Sequence, residues 1–224
     1  MKKKIIVFST NDFFKKTLKI KNVKIYFYNK KSKLNLKNLR KLNPDIVFFP
    51  YWHWKVDKKI LQKYLCIGFH TSSLPFGRGG SPVQNQIIRG IYKSQICALK
   101  FNEIIDGGPI YLRKKILFKG TANEIFLNIF NKINSMIKDI VFKIPKPKEQ
   151  KGKITIFKRR KPHQSKINFD GSLTKIYDFI RMLDLDFKNF PKAFLNSGKY
   201  RIEFQKPVLK KDQEISCLVQ IKKK

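Results

Sequence analysis

The chain has 224 residues, of which 42% are hydrophobic, and its 50 Lys plus Arg against 15 Asp plus Glu give a formal charge of +35. This composition excludes a disordered polypeptide, and the length suits one good-sized domain or one domain with a small appendage. Apolar runs such as 46–50 are too short for the roughly 20 residues that cross a bilayer. The apolar run after the basic start is likewise shorter than the about 7 to 15 of a signal-peptide core; no membrane association and a cytoplasmic location are expected.

In chain order, residues 4–9 read as a β-branched and aromatic strand, followed by Asn11 and Asp12 as helix-capping residues. A second strand is expected at 23–28. A helix at 34–42 stops at Asn43-Pro44, because the residue before proline is pushed out of the helical region. Residues 45–49 read as a buried strand, 58–64 as a short helix and 65–69 as a strand with His70 at its carboxyl end. A helix with proline in its first turn is expected at 82–89, strands at 95–101 and 109–118, and a long helix at 121–144. That helix opens on Thr121 with Glu124 three residues on, the capping-box form. Residues 146–153 read as a linker. Beyond it come a strand at 154–158, an amphipathic helix at 173–183 and a strand at 200–204. The pattern predicts an α/β catalytic domain over 1–145 with a mostly parallel sheet, then an α+β subdomain over 154–224.

Glycine is unevenly distributed. None precedes Gly68, and seven of the eleven lie between Gly68 and Gly108. The absence of early glycines removes the dinucleotide fingerprint and the P-loop. Clustered glycines beside His70, at the carboxyl end of a strand in an open sheet, mark the place where a ligand binds. Cys66, Cys97 and Cys217 are odd in number and widely spaced, so no disulfide framework is expected. The histidines also lack metal-ligand spacing, and no metal is expected. Residues 1–118 hold 25 basic and 5 acidic residues and 119–224 hold 25 and 10, or +20 and +15, so the sequence singles out no basic face.

Three segments carry a resemblance: PDIVFFPYW (44–52), CIGFHTSSLPFGRGGSPVQ (66–84) and ALKFNEIIDGGPIYLRK (98–114). The chain resembles the folate-dependent formyltransferases, which act on glycinamide ribonucleotide, methionyl-tRNA and sugar nucleotides. The resemblance implies a Rossmann-like formyltransferase fold and 10-formyltetrahydrofolate as formyl donor. Residues 157–184 look like the carboxyl-terminal extension of the sugar and methionyl-tRNA enzymes. The loop itself looks closest to enzymes of amino-sugar modification, so a nucleotide-linked amino sugar is the expected acceptor. Methionyl-tRNA is the alternative, and a homodimer is admitted. A third reading is a catalytically inactive nucleotide or nucleic-acid binding module on the same fold.

Formyl transfer to an amine needs a donor facing the developing oxyanion and a base for the amine proton. The resemblance assigns these tasks to His70 and Asp106. It also gives Phe49, Tyr51, Trp52, Ile104, Ile105 and Gly107 to the folate pocket. Arg78, Gly79, Gly80, Ser81 and Gln84 fall to the acceptor, with Arg78 meeting a phosphate. Gly68 stands where the family has the asparagine of Asn-x-His. Either another group supplies that donor, Asn85 and Ser81 being the nearest polar candidates in sequence, or activity is weak or different; replacement is the expectation.

Overall fold

The computed structural model describes residues 2–186, 191–211 and 213–224. In chain order the elements are β1 (Lys3–Phe8), α1 (Phe13–Thr17), β2 (Val23–Tyr28), α2 (Leu36–Leu42), β3 (Ile46–Phe49), α3 (Lys58–Lys63), β4 (Cys66–His70) and β5 (Arg78–Gly79). Then follow α4 (Pro82–Ile87), β6 (Lys93–Lys100), β7 (Ile110–Leu117), α5 (Ala122–Phe142) and β8 (Ile156–Phe157), and finally α6 (Leu173–Arg181), β9 (Ala193–Ser197), β10 (Tyr200–Lys210) and β11 (Glu214–Lys223). Two compact units interleave along the chain. One comprises Met1–Arg78, Gln95–Lys115 and Ile129–Ile156, the other Gly79–Ser94, Ile116–Asn128 and Phe157–Lys224.

The first unit is built on a six-stranded sheet of order β2-β1-β3-β4-β6-β7. β1 pairs in parallel with β2 and β3, and β3 with β4, whereas β4 meets β6 antiparallel. The expected mostly parallel α/β sheet is thus observed. All four residues of β3 and the last four of β1 are buried, the continuous apolar pattern of strands covered on both faces. Ile6, Phe8, Leu39, Val47, Phe49, Val56, Ile60 and Cys66 form one core cluster, with Trp52 and Phe101 packed on it.

Local capping follows the sequence closely. The Asn35 side chain accepts the Asn38 N–H at the start of α2, and Asn43 ends that helix in the left-handed conformation at φ 43°. At α1 the Asn11 carboxamide, not Asp12, accepts the Phe13 N–H. At α5 the Thr121 N–H donates to Glu124 Oε2 at 2.8 Å, the reciprocal half of the expected capping box.

The second unit contains the antiparallel sheet β11-β10-β9. Around α6, Arg181 Nε donates to Asp178 at 2.7 Å, and its Nη1 donates to the Phe118 and Gly120 carbonyls. Tyr92 donates to the other oxygen of Asp178 at 2.5 Å. The appendage is therefore α+β as expected, with β9 and β11 added to the strand read at 200–204. β11 escaped the sequence pattern because eight of its ten residues are exposed, which leaves little periodic burial to detect.

Candidate formyl-transfer site

β4 ends at His70, where the sheet changes from parallel to antiparallel pairing. The imidazole is only 6% exposed. Its Nδ1 lies 3.3 Å from Asp106 Oδ2, and its Nε2 lies 2.8 Å from the Gly77 carbonyl oxygen. Both ring nitrogens therefore face oxygen acceptors; a ring with N–H groups on both nitrogens donates to each, whereas a neutral ring satisfies only one. Ser72 Oγ donates to the Phe76 and Gly77 carbonyls and so fixes the turn that presents Gly77 to the ring.

Asp106 occupies the left-handed region at φ 52°, uncommon for a residue with a side chain though better tolerated by aspartate than by most, and contacts with the loop help to restrain it there. Gln150 supplies part of that restraint by donating from Nε2 to the Asp106 carbonyl at 2.7 Å and to the Gly108 carbonyl at 2.9 Å. Arg78, expected to meet an acceptor phosphate, donates from Nε and Nη2 to Gln150 Oε1 at 3.2 and 2.8 Å. One edge of its guanidinium, the one bearing Nε and Nη2, is thus already engaged. The first unit brings together His70 and Asp106, and links Arg78 to their loop through Gln150. It adds Gln150, which lies within the expected linker over 146–153.

The position two residues before His70 has a direct steric explanation. A Cβ built on Gly68 would overlap the ring of Phe101, which stacks on Phe49 with centroids 5.2 Å apart. The aromatic ring fills the volume that an asparagine side chain would occupy.

Several expected site residues have other duties. Phe49, placed in the folate pocket by resemblance, is only 1% exposed and belongs to the core cluster, stacked between Phe8 and Phe101. This corrects its assignment, since a core ring offers no face to a ligand. Gly107 was expected to let the backbone approach a pteridine. A Cβ there would instead meet the Ile104 side chain, so the loop's packing on itself requires glycine. Tyr51 at φ 51° accepts Thr10 Oγ1–H on its carbonyl, and Trp52 packs edge-on to Phe8. Ile104 and Ile105, the two residues before Asp106 in the chain, are 61% and 69% exposed.

In the second unit, Asn85 does not offer the missing oxyanion donor. Its Nδ2 donates to the Gly80, Ser81 and Lys158 carbonyls, and its Oδ1 accepts from Arg89. Those bonds commit its amide hydrogens, so Asn85 is a structural clamp. Ser81 Oγ accepts the Arg160 N–H at 3.1 Å. A Cβ on Gly80 would run into the Arg159 backbone, while the Gly80 N–H donates to the Phe157 carbonyl. These bonds tie Gly80 and Ser81 to β8 and the residues that follow it. Gln84 is buried, and its Nε2 finds no hydrogen-bond partner among the described residues.

Among the described residues no cluster of three metal-ligating side chains exists. Burial pushes the Cys66 thiol up to about 12 and raises that of Cys97, so neither is an activated nucleophile. No helix among the described residues is long and apolar enough to cross a membrane.

Residues 162–222 match the family model of the methionyl-tRNA formyltransferase carboxyl-terminal domain. The methionyl-tRNA formyltransferase of Thermodesulfovibrio yellowstonii is 32% identical over 158 residues, 65% of this chain and 50% of that protein. The chain thus spans half the length of this curated relative. The solved methionyl-tRNA formyltransferase from Clostridium thermocellum superposes with a TM-score of 0.90 at 38% identity, covering 99% of this chain and 100% of that one. A sugar N-formyltransferase from a Shewanella species gives 0.66 at 17% identity, with 97% of each chain covered.

Proposed function

This chain belongs to the formyltransferase family, and from that premise we propose that it transfers a formyl group from 10-formyltetrahydrofolate to the amino group of methionyl-tRNA. The observation that carries this choice of acceptor is the match of residues 162–222 to the methionyl-tRNA formyltransferase carboxyl-terminal domain. The nucleotide-linked amino sugar expected from the loop has weaker support, because the likeness to the sugar enzyme, at 17% identity, is one of fold. The strongly basic composition agrees with a polyanionic acceptor.

The folate, when bound, supplies an activated formyl group. The exposed Ile104 and Ile105 beside Asp106 fit an apolar ring system, and with Tyr51 and Trp52 they would hold it. The chemistry assigned to this chain's own side chains lies in the His70–Asp106 pair. Attack of the acceptor amine on the formyl carbon would build negative charge on the formyl oxygen and make the amine nitrogen acidic. Transfer is complete when the bond from the formyl carbon to the folate nitrogen breaks and that nitrogen leaves carrying a proton. In this reading Asp106 accepts the amine proton, directly or through the His70 Nδ1 that it faces at 3.3 Å, and that distance supports the assignment. His70, held by the Gly77 carbonyl, keeps its ring edge turned to Asp106.

The experiment is transfer of an isotopically labelled formyl group from 10-formyltetrahydrofolate to methionyl-tRNA and, in parallel, to a panel of nucleotide-linked amino sugars. Label in methionyl-tRNA alone is the expected result. Label only in an amino sugar would overturn the choice of acceptor. Ligand binding without transfer to any acceptor would identify an inactive module on this fold.

A further inference from the structure

Residues 148–155 run alongside both loops that carry the His70–Asp106 pair. At one end Ile110 and Lys148 exchange two backbone hydrogen bonds, of 2.7 and 2.9 Å. At the other, Thr155 Oγ1 accepts the Gly77 N–H at 2.6 Å, the Thr155 N–H donates to the Pro75 carbonyl, and the Thr155 carbonyl accepts the Arg78 N–H at 3.0 Å. Gln150 lies between these anchors and uses the full capacity of its amide. Both Nε2 hydrogens go to carbonyls, those of Asp106 and Gly108, and Oε1 accepts twice from Arg78.

We infer that Gln150 is a positioning residue for the transfer, fixing the backbone on both sides of Gly107 so that the Asp106 carboxylate faces His70, and holding Arg78 against the same loop. This inference rests on the formyl-transfer reading of the His70–Asp106 pair. Asp106 sits at φ 52°, and the carbonyl on its own peptide and the one two residues on are both tied to a single amide. Release of those two carbonyls frees the loop to relax towards an unstrained backbone, and the carboxylate leaves the imidazole. Arg78 would have to re-aim its donors to replace that amide, since its Nε and Nη2 point at Gln150 Oε1 and not at the two carbonyls. Its Nε and Nη2 are oriented by Gln150 itself.

Two variants of the full chain separate the two halves of this role. Gln150→Glu keeps an acceptor for Arg78 but has no donor for the carbonyls. Gln150→Leu removes both functions at similar volume. Each is read by the ring nitrogen resonances of His70, by kcat and KM for formyl transfer, and by thermal unfolding, with Asp106→Asn as the reference for a broken pair. Both variants should shift the His70 resonances in the direction of Asp106→Asn. Both should also lower kcat by about 100-fold, the scale on which a misplacement of roughly 1 Å acts. Gln150→Leu alone should raise the acceptor KM, through Arg78. Folded variants with unchanged His70 resonances and kcat within about twofold of the parent would overturn the inference, whatever their thermal midpoint. Should the parent chain transfer no formyl group, the functional reading fails, and the His70 resonances still decide whether Gln150 positions the pair.

Discussion

Gly68 and the Phe101 ring share one volume, and that steric fact governs the residues closest to the proposed chemistry. Gly68→Asn would restore the amide expected from the resemblance, but into occupied space. It should destabilise the chain by about 1–3 kcal/mol, the cost of overpacking a core. Phe101→Ala in the same background should recover part of that loss, as urea unfolding of the single and double variants will show. His70→Ala and Asp106→Asn should each reduce kcat/KM for transfer by about 100-fold or more, the contribution of a positioned acid–base group. Near-parental turnover in either variant would remove that residue from the proposed mechanism. The sequence made His70 and Asp106 legible because glycine-rich loops surround both. Gln150 left no such trace, since its partners are carbonyls about forty residues away and any local composition allows it. Asn85 misled for the converse reason. Proximity in sequence to the loop says nothing about where its amide hydrogens are spent.

Among the elements, α6 is fixed by a buried charge rather than by its apolar stripe alone. Arg181 and Asp178 have side chains only 5% and 7% exposed, and the guanidinium also closes off the Phe118 and Gly120 carbonyls. Arg181→Met would leave a buried carboxylate and two carbonyls without that donor, and should cost about 3–5 kcal/mol in urea unfolding. A loss under about 1 kcal/mol would mean that solvent reaches Asp178. On β10, burial alone would push the Glu203 carboxyl up, but Lys222 at 2.5 Å and Arg201 at 3.0 Å outweigh it and hold the group below its usual value of 4.5. A depressed carboxyl contributes stability that is complete above its unfolded value and is lost as pH falls through its folded one. Stability should therefore decline below about pH 4.5, and Glu203→Gln should flatten that limb in unfolding curves taken across the acid range. Helix and strand positions were largely legible, because capping residues and apolar runs are local. β9 and β11 were not, since β11 is mostly exposed and β9 has a buried pair followed by exposed residues, so neither shows the alternation that marks a half-buried strand.

At the scale of the whole molecule, the charge of +35 bears on the choice of acceptor. If transfer RNA is the ligand, affinity should fall by about 1,000-fold between roughly 50 and 200 mM salt, as counterions released from about six phosphates require. A shallow dependence, like that of a small sugar nucleotide, would count against the RNA. By itself the sequence determined the α/β class, the order of most elements, the family resemblance and the two loops bearing His70 and Asp106, because strand and helix periodicity, capping and glycine clusters are written in neighbouring residues. Only the tertiary structure decided that Phe101 fills the space beside Gly68, that Phe49 is core and that Asn85 is a clamp. It also showed that residues 148–155, which span most of the expected linker and the start of the strand expected at 154–158, run as a strap along both loops. Each of these depends on which distant atoms compete for one volume or one hydrogen bond, and a linear chain does not carry that information in any local pattern.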